Sequence, residues 1–211
     1  MARRNTKEII LLESLKLFAD KGYDGVTVRD IAEKVNVQQS SLYKHYKSKE
    51  EILDSIFSDM KQHYENVTKE IQLPEDNDLS ELAKKYQSVG LEGLKQICTA
   101  IFLYWLTDEK GSLFRRLLIL EQFRHSEAEK LLREFLLDGV LEYQTSLFAE
   151  MIKYGYFEEN ADPQVLSLEF YSPIFLLLCK YDGQVEKKDE AVNLLNKFVE
   201  DFDRKHRKRV Q

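Results

Sequence analysis

Apolar positions recur with a period near 3.6 along almost the whole chain, a pattern that predicts helices and no sheet. Leu11, Leu15 and Phe18 form one stripe, with the small Ser14 between them, and Gly22 ends it. Val28, Ile31, Ala32 and Val35 recur at i, i+3, i+4 and i+7 and predict a short second helix. Asn36 follows, a residue that tolerates the left-handed conformation in which helices end. Leu42 and Tyr46, four apart, face inward on a third helix that begins at Gln38 or Gln39. A fourth stripe runs through Leu53, Ile56, Phe57, Met60, Tyr64, Val67 and Ile71 to Pro74 and the acidic segment 75–78. Unbroken to about residue 72, it spans about 36 Å.

Beyond Pro74 the pattern predicts a short helix around 79–88 broken by Gly90, then one apolar nearly all round from Leu91 to Leu106. Gly111 and Ser112 restart the chain for a helix to about Phe123, and a longer helix follows from Glu127 to Lys153. Asp162 and Pro163, cap then first turn, open a helix to about Tyr181, and a last amphipathic helix covers about Asp189 to Lys205. The expected fold is all-α, about nine helices. A three-helix helix–turn–helix domain over residues 1–49 precedes a larger helical bundle over 50–211.

The segment 27–49 carries the chemistry. Thr27 and Asp30 have the spacing of a capping box, and Ser48 and Glu51 repeat it at the start of the fourth helix. Gln39, Ser40, Tyr43 and Lys44 are left facing outward on the third helix. Gln suits an adenine edge, Ser a base or a phosphate, Tyr and Lys a phosphate. Arg29 is long enough to reach a base edge or the DNA backbone. Lys49 lies in a first helical turn, where unpaired N–H groups favour phosphate. Packing for Tyr43 and Tyr46, local hydrogen bonding for His45, and plain solvation for Lys44 and Lys47 stay open as alternatives.

Residues 10–53, ILLESLKLFADKGYDGVTVRDIAEKVNVQQSSLYKHYKSKEEIL, resemble the TetR-like (tetracycline-repressor-like) transcriptional regulators. The resemblance rests on Leu-Phe-Ala-x-Lys-Gly-Tyr, Thr-Val-Arg-Asp-Ile-Ala, Ser-Leu-Tyr-x-His-Tyr and Lys-Ser-Lys-Glu-Glu, all in register. It implies that Thr27, Tyr43, His45 and Lys49 hold phosphates, and that Arg29, Gln39, Ser40 and Ser41 face bases. Two positions depart from the common pattern: Asn36 stands where many members have Gly, and Gln38 where many have Ser. The second removes the usual cap of the recognition helix and leaves the role of Gln38 open. The resemblance also implies a homodimer formed through the last two long helices. Independently, those helices carry more apolar surface than one bundle needs, and a two-fold dimer reads two half-sites about 34 Å or a multiple apart.

Charge sharpens the division. The net charge is −6, yet residues 1–50 hold ten Lys and Arg against seven Asp and Glu, leaving the remainder near −9. A basic head on an acidic body suits a double-stranded DNA operator with little adhesion elsewhere. The terminal run 204–209, RKHRKR, complements a helix C-terminus and reads as a frayed, solvated tail, with a second DNA patch as the alternative. Cys98 and Cys179 lack a zinc spacing and read as buried thiols in a reducing cytoplasm. The N-terminus has no signal-peptide core, and the apolar window 165–181 is interrupted by Glu169 and Pro173, so a cytoplasmic protein with no membrane span is expected.

TetR-like bodies commonly hold a small molecule. Tyr64, Phe102, Trp105, Gln122, His125, Tyr143, Gln144, Phe148 and Phe170 mix aromatic and polar groups as a pocket for a small apolar or aromatic effector would, and core packing is the competing reading. Glu121 and His125 share a helix face, but one such pair lacks the further ligands a metal needs. No phosphate loop, nucleophile elbow, metal motif or cofactor signature is present in the sequence, so no enzyme, metal or cofactor is expected. The reading is therefore a homodimeric repressor released from a pseudo-palindromic operator by a small-molecule effector. A DNA-binding regulator answering to a protein partner or acting architecturally is the alternative, with a helical-bundle enzyme or carrier behind it.

Overall fold

The computed structural model describes residues 6–70 and 79–208. In chain order its helices are α1 (Thr6–Lys21), α2 (Val28–Lys34), α3 (Gln39–Leu42), α4 (Lys49–Glu70), α5 (Leu79–Thr107) and α6 (Glu109–Glu121). There follow α7 (Ser126–Leu136), α8 (Asp138–Lys153), α9 (Pro163–Lys180), a 3-10 turn at Val185–Lys187, and α10 (Lys188–His206). Among the described residues the fold is all-α, the only β-type pairing being an isolated bridge between Phe157 and Arg207. The stop expected at Pro74 and segment 75–78 lies outside the described residues.

Two compact units emerge. One takes the described residues up to Val67 together with Glu109–Leu132, the other Thr68–Asp108 together with the described residues from Arg133 on. These packing units and the functional division expected at residue 50 are different partitions of the chain. In the first unit α1 packs on α6 and α2, and α2 on α3. Ile10, Phe18, Ile31, Leu42, Ile52, Phe114 and Leu117 are buried there. In the second unit α8 packs on α5 and α9, and α10 on α5 and α9. Its core gathers Leu82, Tyr86, Phe148, Met151, Phe157, Leu166 and Phe202. Phe148 meets Phe157 edge-on at 5.4 Å and Phe170 at 5.7 Å, the geometry that ring quadrupoles favour.

Chain punctuation follows local chemistry. Asp162 accepts from the N–H groups of Gln164 (2.8 Å) and Val165 (3.2 Å) and so caps α9, with Pro163 in its first turn. Gly90 takes φ 65 and ψ −168, which splits α5 into the two arms that the sequence suggests.

Several expectations are corrected. The single helix over 127–153 is two, because Leu137 leaves helical geometry (φ −132, ψ −98). Gly139 makes room for that break, since a Cβ there would stand 2.1 Å from the Glu134 carbonyl oxygen. Helix α6 starts at Glu109, ahead of the expected restart, with Gly111 buried inside it. Cys179 is exposed rather than buried, and Cys98 is half-buried with its thiol pushed up to about 12 by burial.

The basic tail is not frayed through Lys208. Arg207 donates to Asp203 and to the Tyr156 hydroxyl (2.8 Å), Tyr156 donates to Asp203 (2.7 Å), and the Lys208 N–H reaches the Tyr156 carbonyl (2.8 Å). Lys208 also pairs with Glu159, Lys205 and His206 with Glu169, and Arg204 with Asp201. Each Lys and Arg from 204 to 208 meets an acid, which leaves little unpaired charge on this stretch for a second DNA patch.

Candidate nucleic-acid interface

Thr27 opens α2 with a full capping box. Its Oγ1 accepts from the Asp30 N–H at 3.1 Å, and Asp30 Oδ2 accepts from the Thr27 N–H at 2.7 Å. The Thr27 hydroxyl, which donates to the same Oδ2 at 2.7 Å, and then the Thr27 N–H hold the Asp30 carboxyl below the usual carboxylate range. Asn36 sits at φ 57, the left-handed turn its side chain allows, and the Val37 N–H returns to the Ala32 carbonyl at 3.0 Å. Gln38 adopts an extended conformation and makes no side-chain cap, so α3 is a single turn without the usual stabilising oxygen.

Leu42 and Tyr46 are buried, as their spacing requires, and burial raises the Tyr46 phenol. That leaves Gln38, Gln39, Ser40, Tyr43 and Lys44 exposed, with Ser41 and His45 half-buried. Tyr43 is 47% exposed, too open for a packing residue. The His45 side chain makes no hydrogen bond among the described residues. Thr27 and Arg29 are exposed on α2, and Arg29 Nε rests on Glu33 one turn along, 2.8 Å away.

Lys49 is placed otherwise. Its Nζ donates to the carbonyls of Tyr23 and Val26, each at 2.8 Å, and lies 3.9 Å from the Tyr23 ring centroid. It ties the start of α4 to the turn between α1 and α2. Among the described residues the ammonium groups of Lys44 and Lys47 pair with no acid, so the open cations of this corner are those two. Lys47, for which the sequence offers plain solvation, is singled out among the described residues by an ammonium that pairs with no acid. The second capping box is partial: the Glu51 N–H reaches Ser48 Oγ at 3.1 Å, but the Glu51 carboxylate takes the Lys47 N–H instead of that of Ser48.

The nominated effector residues divide between the units. Tyr64, Gln122 and His125 belong to the first; Phe102, Trp105, Tyr143, Gln144, Phe148 and Phe170 belong to the second. Gln122 donates to the Ile119 carbonyl on its own helix (2.9 Å). Phe148, Phe170 and Tyr143 join one core cluster, and Phe102 and Trp105 are buried on α5. Burial raises the Tyr86 phenol well above its ordinary range, with Tyr143 and Cys98 near enough to add to the effect. Gln144 keeps a buried Oε1 that accepts no hydrogen bond. Among the described residues no group of three potential ligands could hold a metal, and no helix is long and apolar enough to cross a membrane.

A single-turn recognition helix with exposed polar residues, held between a capped α2 and the start of α4, defines a helix–turn–helix protein. Residues 10–56 match the family model of bacterial regulatory proteins, tetR family. Over 46 residues the chain is 50% identical to the biofilm operon icaADBC HTH-type negative transcriptional regulator IcaR of Staphylococcus epidermidis, which is 22% of this chain and 25% of that one. The chain thus spans about a quarter of the length of the curated relatives it matches. A TetR-like transcriptional regulator from Rhodococcus sp. RHA1 shares the fold with a TM-score of 0.65 at 15% identity, over 94% of this chain and 96% of that one. The transcriptional regulator FadR from Bacillus subtilis in complex with stearoyl-CoA gives 0.58 at 22% identity, over 92% and 96%. Residues 10–56 are thus a tetR-family helix–turn–helix segment, and the chain as a whole shares the fold of these regulators.

Proposed function

We propose that the protein is a homodimeric transcriptional repressor that occupies a pseudo-palindromic DNA operator and leaves it when a small apolar or aromatic effector binds. The exposure of Gln39, Ser40, Tyr43 and Lys44 on one short turn, with Leu42 and Tyr46 turned inward, carries the reading. Tyr43, Lys44, His45 and Thr27 hold phosphates, while Arg29, Gln39, Ser40 and Ser41 face bases and Gln38 borders them. Residues 1–49 serve as the reading head and 50–211 as the effector-binding and dimerisation part. The similarity to a named negative regulator across the helix–turn–helix supports repression.

The dimer reading is supported by an apolar stripe on α9. Val165, Leu168 and Leu176 are 51%, 52% and 65% exposed, and with Ser172 and Cys179 they lie on one helix face. The effector reading is supported by uncharged polar groups in apolar surroundings: Tyr86, Tyr143, Cys98 and the buried Gln144 oxygen. The FadR neighbour in complex with stearoyl-CoA is of the same fold. The packing of Phe148 against three other phenylalanines favours a second reading, a regulator whose body is filled and answers to a protein partner.

The test is binding of the full chain to DNA upstream of its own gene across a range of salt. A steep fall of affinity with salt is expected, and no specific retention at moderate salt would sink the reading. Gln39→Ala should change which bases are preferred, by about 1–3 kcal/mol of discrimination at one position. Tyr43→Phe should weaken binding to every sequence by about threefold to tenfold.

A further inference from the structure

Arg29 and Glu33 stand one turn apart on α2, with side chains 80% and 64% exposed. Arg29 Nε donates to Glu33 Oε1 at 2.8 Å, and among the described residues the Arg29 Nη groups take no hydrogen-bond partner. The charged neighbours are committed elsewhere. Asp30 accepts from the Thr27 N–H and hydroxyl, each at 2.7 Å, within the α2 cap. Lys34 lies 4.0 Å from Glu13 of α1. Among the described residues Arg29 and Glu33 are therefore each other's one ion-pair partner.

Helix stability does not explain the pair. Arg29 lies in the first turn of α2 and Glu33 in the last, since the helix runs from Val28 to Lys34. A cation near the N-terminus and an anion near the C-terminus both oppose the helix dipole, and an i,i+4 ion pair is weaker in this order. At such exposure the pair itself gains little. Its effect is geometric. A guanidinium is a planar fork, and with Nε occupied its two Nη groups remain as paired donors. Two such donors match O6 and N7 of guanine in the major groove, whereas adenine offers one acceptor and one donor there. The carboxylate also offsets the charge of Arg29, which makes the pair a poor partner for a phosphate.

We infer that Glu33 is a positioning residue for base reading: it holds Arg29 by Nε and so reserves the Nη pair for one guanine in each half-site. The inference rests on the DNA-binding reading above. Without Glu33, Arg29 samples many rotamers and settles on whichever phosphate it reaches, a contact that carries no sequence information. Affinity is then gained on every sequence and discrimination is lost. With Glu33 in place, a site lacking that guanine leaves Arg29 on its own acid, and the carboxylate adds repulsion toward the DNA backbone. Glu33 thus gives up general affinity for selectivity.

The test is selection of random-sequence duplexes by the full chain, followed by affinities for single-base variants of the enriched sequence. One guanine preference in each half-site should vanish in Arg29→Ala, and there the wild type should discriminate by about fivefold to a hundredfold. Glu33→Ala should lower that discrimination by about threefold to tenfold. Its affinity for an unrelated duplex should rise, with a salt slope steeper by up to about 0.9. Glu33→Gln has the same charge as Glu33→Ala but keeps an oxygen for Arg29 Nε, so it should recover most of the discrimination. In the Arg29→Ala background, Glu33→Ala should change discrimination no further. Undiminished discrimination in Glu33→Ala, or a Glu33→Gln no better than Glu33→Ala, would overturn the inference. A guanine preference that survives Arg29→Ala would overturn it too. A wild type that enriches no duplex would instead sink the DNA-binding reading.

Discussion

Lys47 and Lys49 stand two residues apart and face different work. Lys49 donates to two main-chain carbonyls and lies over an aromatic ring, so its ammonium is tied to the protein's own main chain. Removing it leaves two carbonyls without a charged donor, at a cost of about 1–3 kcal/mol. Lys47 has no such ties, and its ammonium is open to a phosphate. We expect Lys49→Ala to lower the melting temperature and to change the salt dependence of DNA binding by less than one phosphate. Lys47→Ala should leave the melting temperature in place and reduce the slope of log affinity against log salt by about 0.9. Melting curves and salt titrations of both variants check the pair, and the reverse pattern would return Lys49 to the DNA backbone. From sequence both are Lys beside a helix start. What separates them is the position of the Tyr23 and Val26 carbonyls, which only the folded turn supplies.

At the scale of elements, α3 is the weak link. It is one turn long and its first residue, Gln38, has the extended geometry of a cap without a capping oxygen. Gln38→Ser should supply that oxygen and stabilise the domain by about 0.5–1 kcal/mol. The check is a higher denaturant midpoint at unchanged slope, and an unchanged midpoint would count against it. The missing cap was legible in the sequence because capping needs only a residue type and a position. So were the caps at Thr27 and Asp162 and the breaks at Gly22, Asn36 and Gly90. The break at Leu137 was not, because apolar residues keep helical spacing on both sides of it. What breaks there is the main chain, at a site where Gly139 lets the Glu134 carbonyl approach.

For the whole molecule, the prediction concerns assembly. If α9 is the seam of a two-fold dimer, a Lys at its most exposed apolar position places like charges in a dry interface. Leu176→Lys should therefore shift the protein to monomer in sedimentation equilibrium. It should also cost more than about tenfold in operator affinity, because each half-site is then bound alone. A variant that stays dimeric would move the interface elsewhere. The charge division between head and body is consistent with this arrangement. Among the described residues each Lys and Arg from 204 to 208 is paired with an acid.

Residues 27–49 by themselves determined the helix–turn–helix: its caps, its inward Leu42 and Tyr46, and its outward polar turn. Helical periodicity beyond them determined an all-α chain. These are local properties, set by residues within a turn or two of one another, and a sequence displays them directly. The tertiary structure alone decided that Lys49 binds the Tyr23 and Val26 carbonyls and that Phe148 joins a core cluster. It alone brought Glu121 to the Tyr23 main chain from 98 positions away. Such partners are chosen by how helices pack, and periodicity specifies which face of a helix is buried without naming what it is buried against.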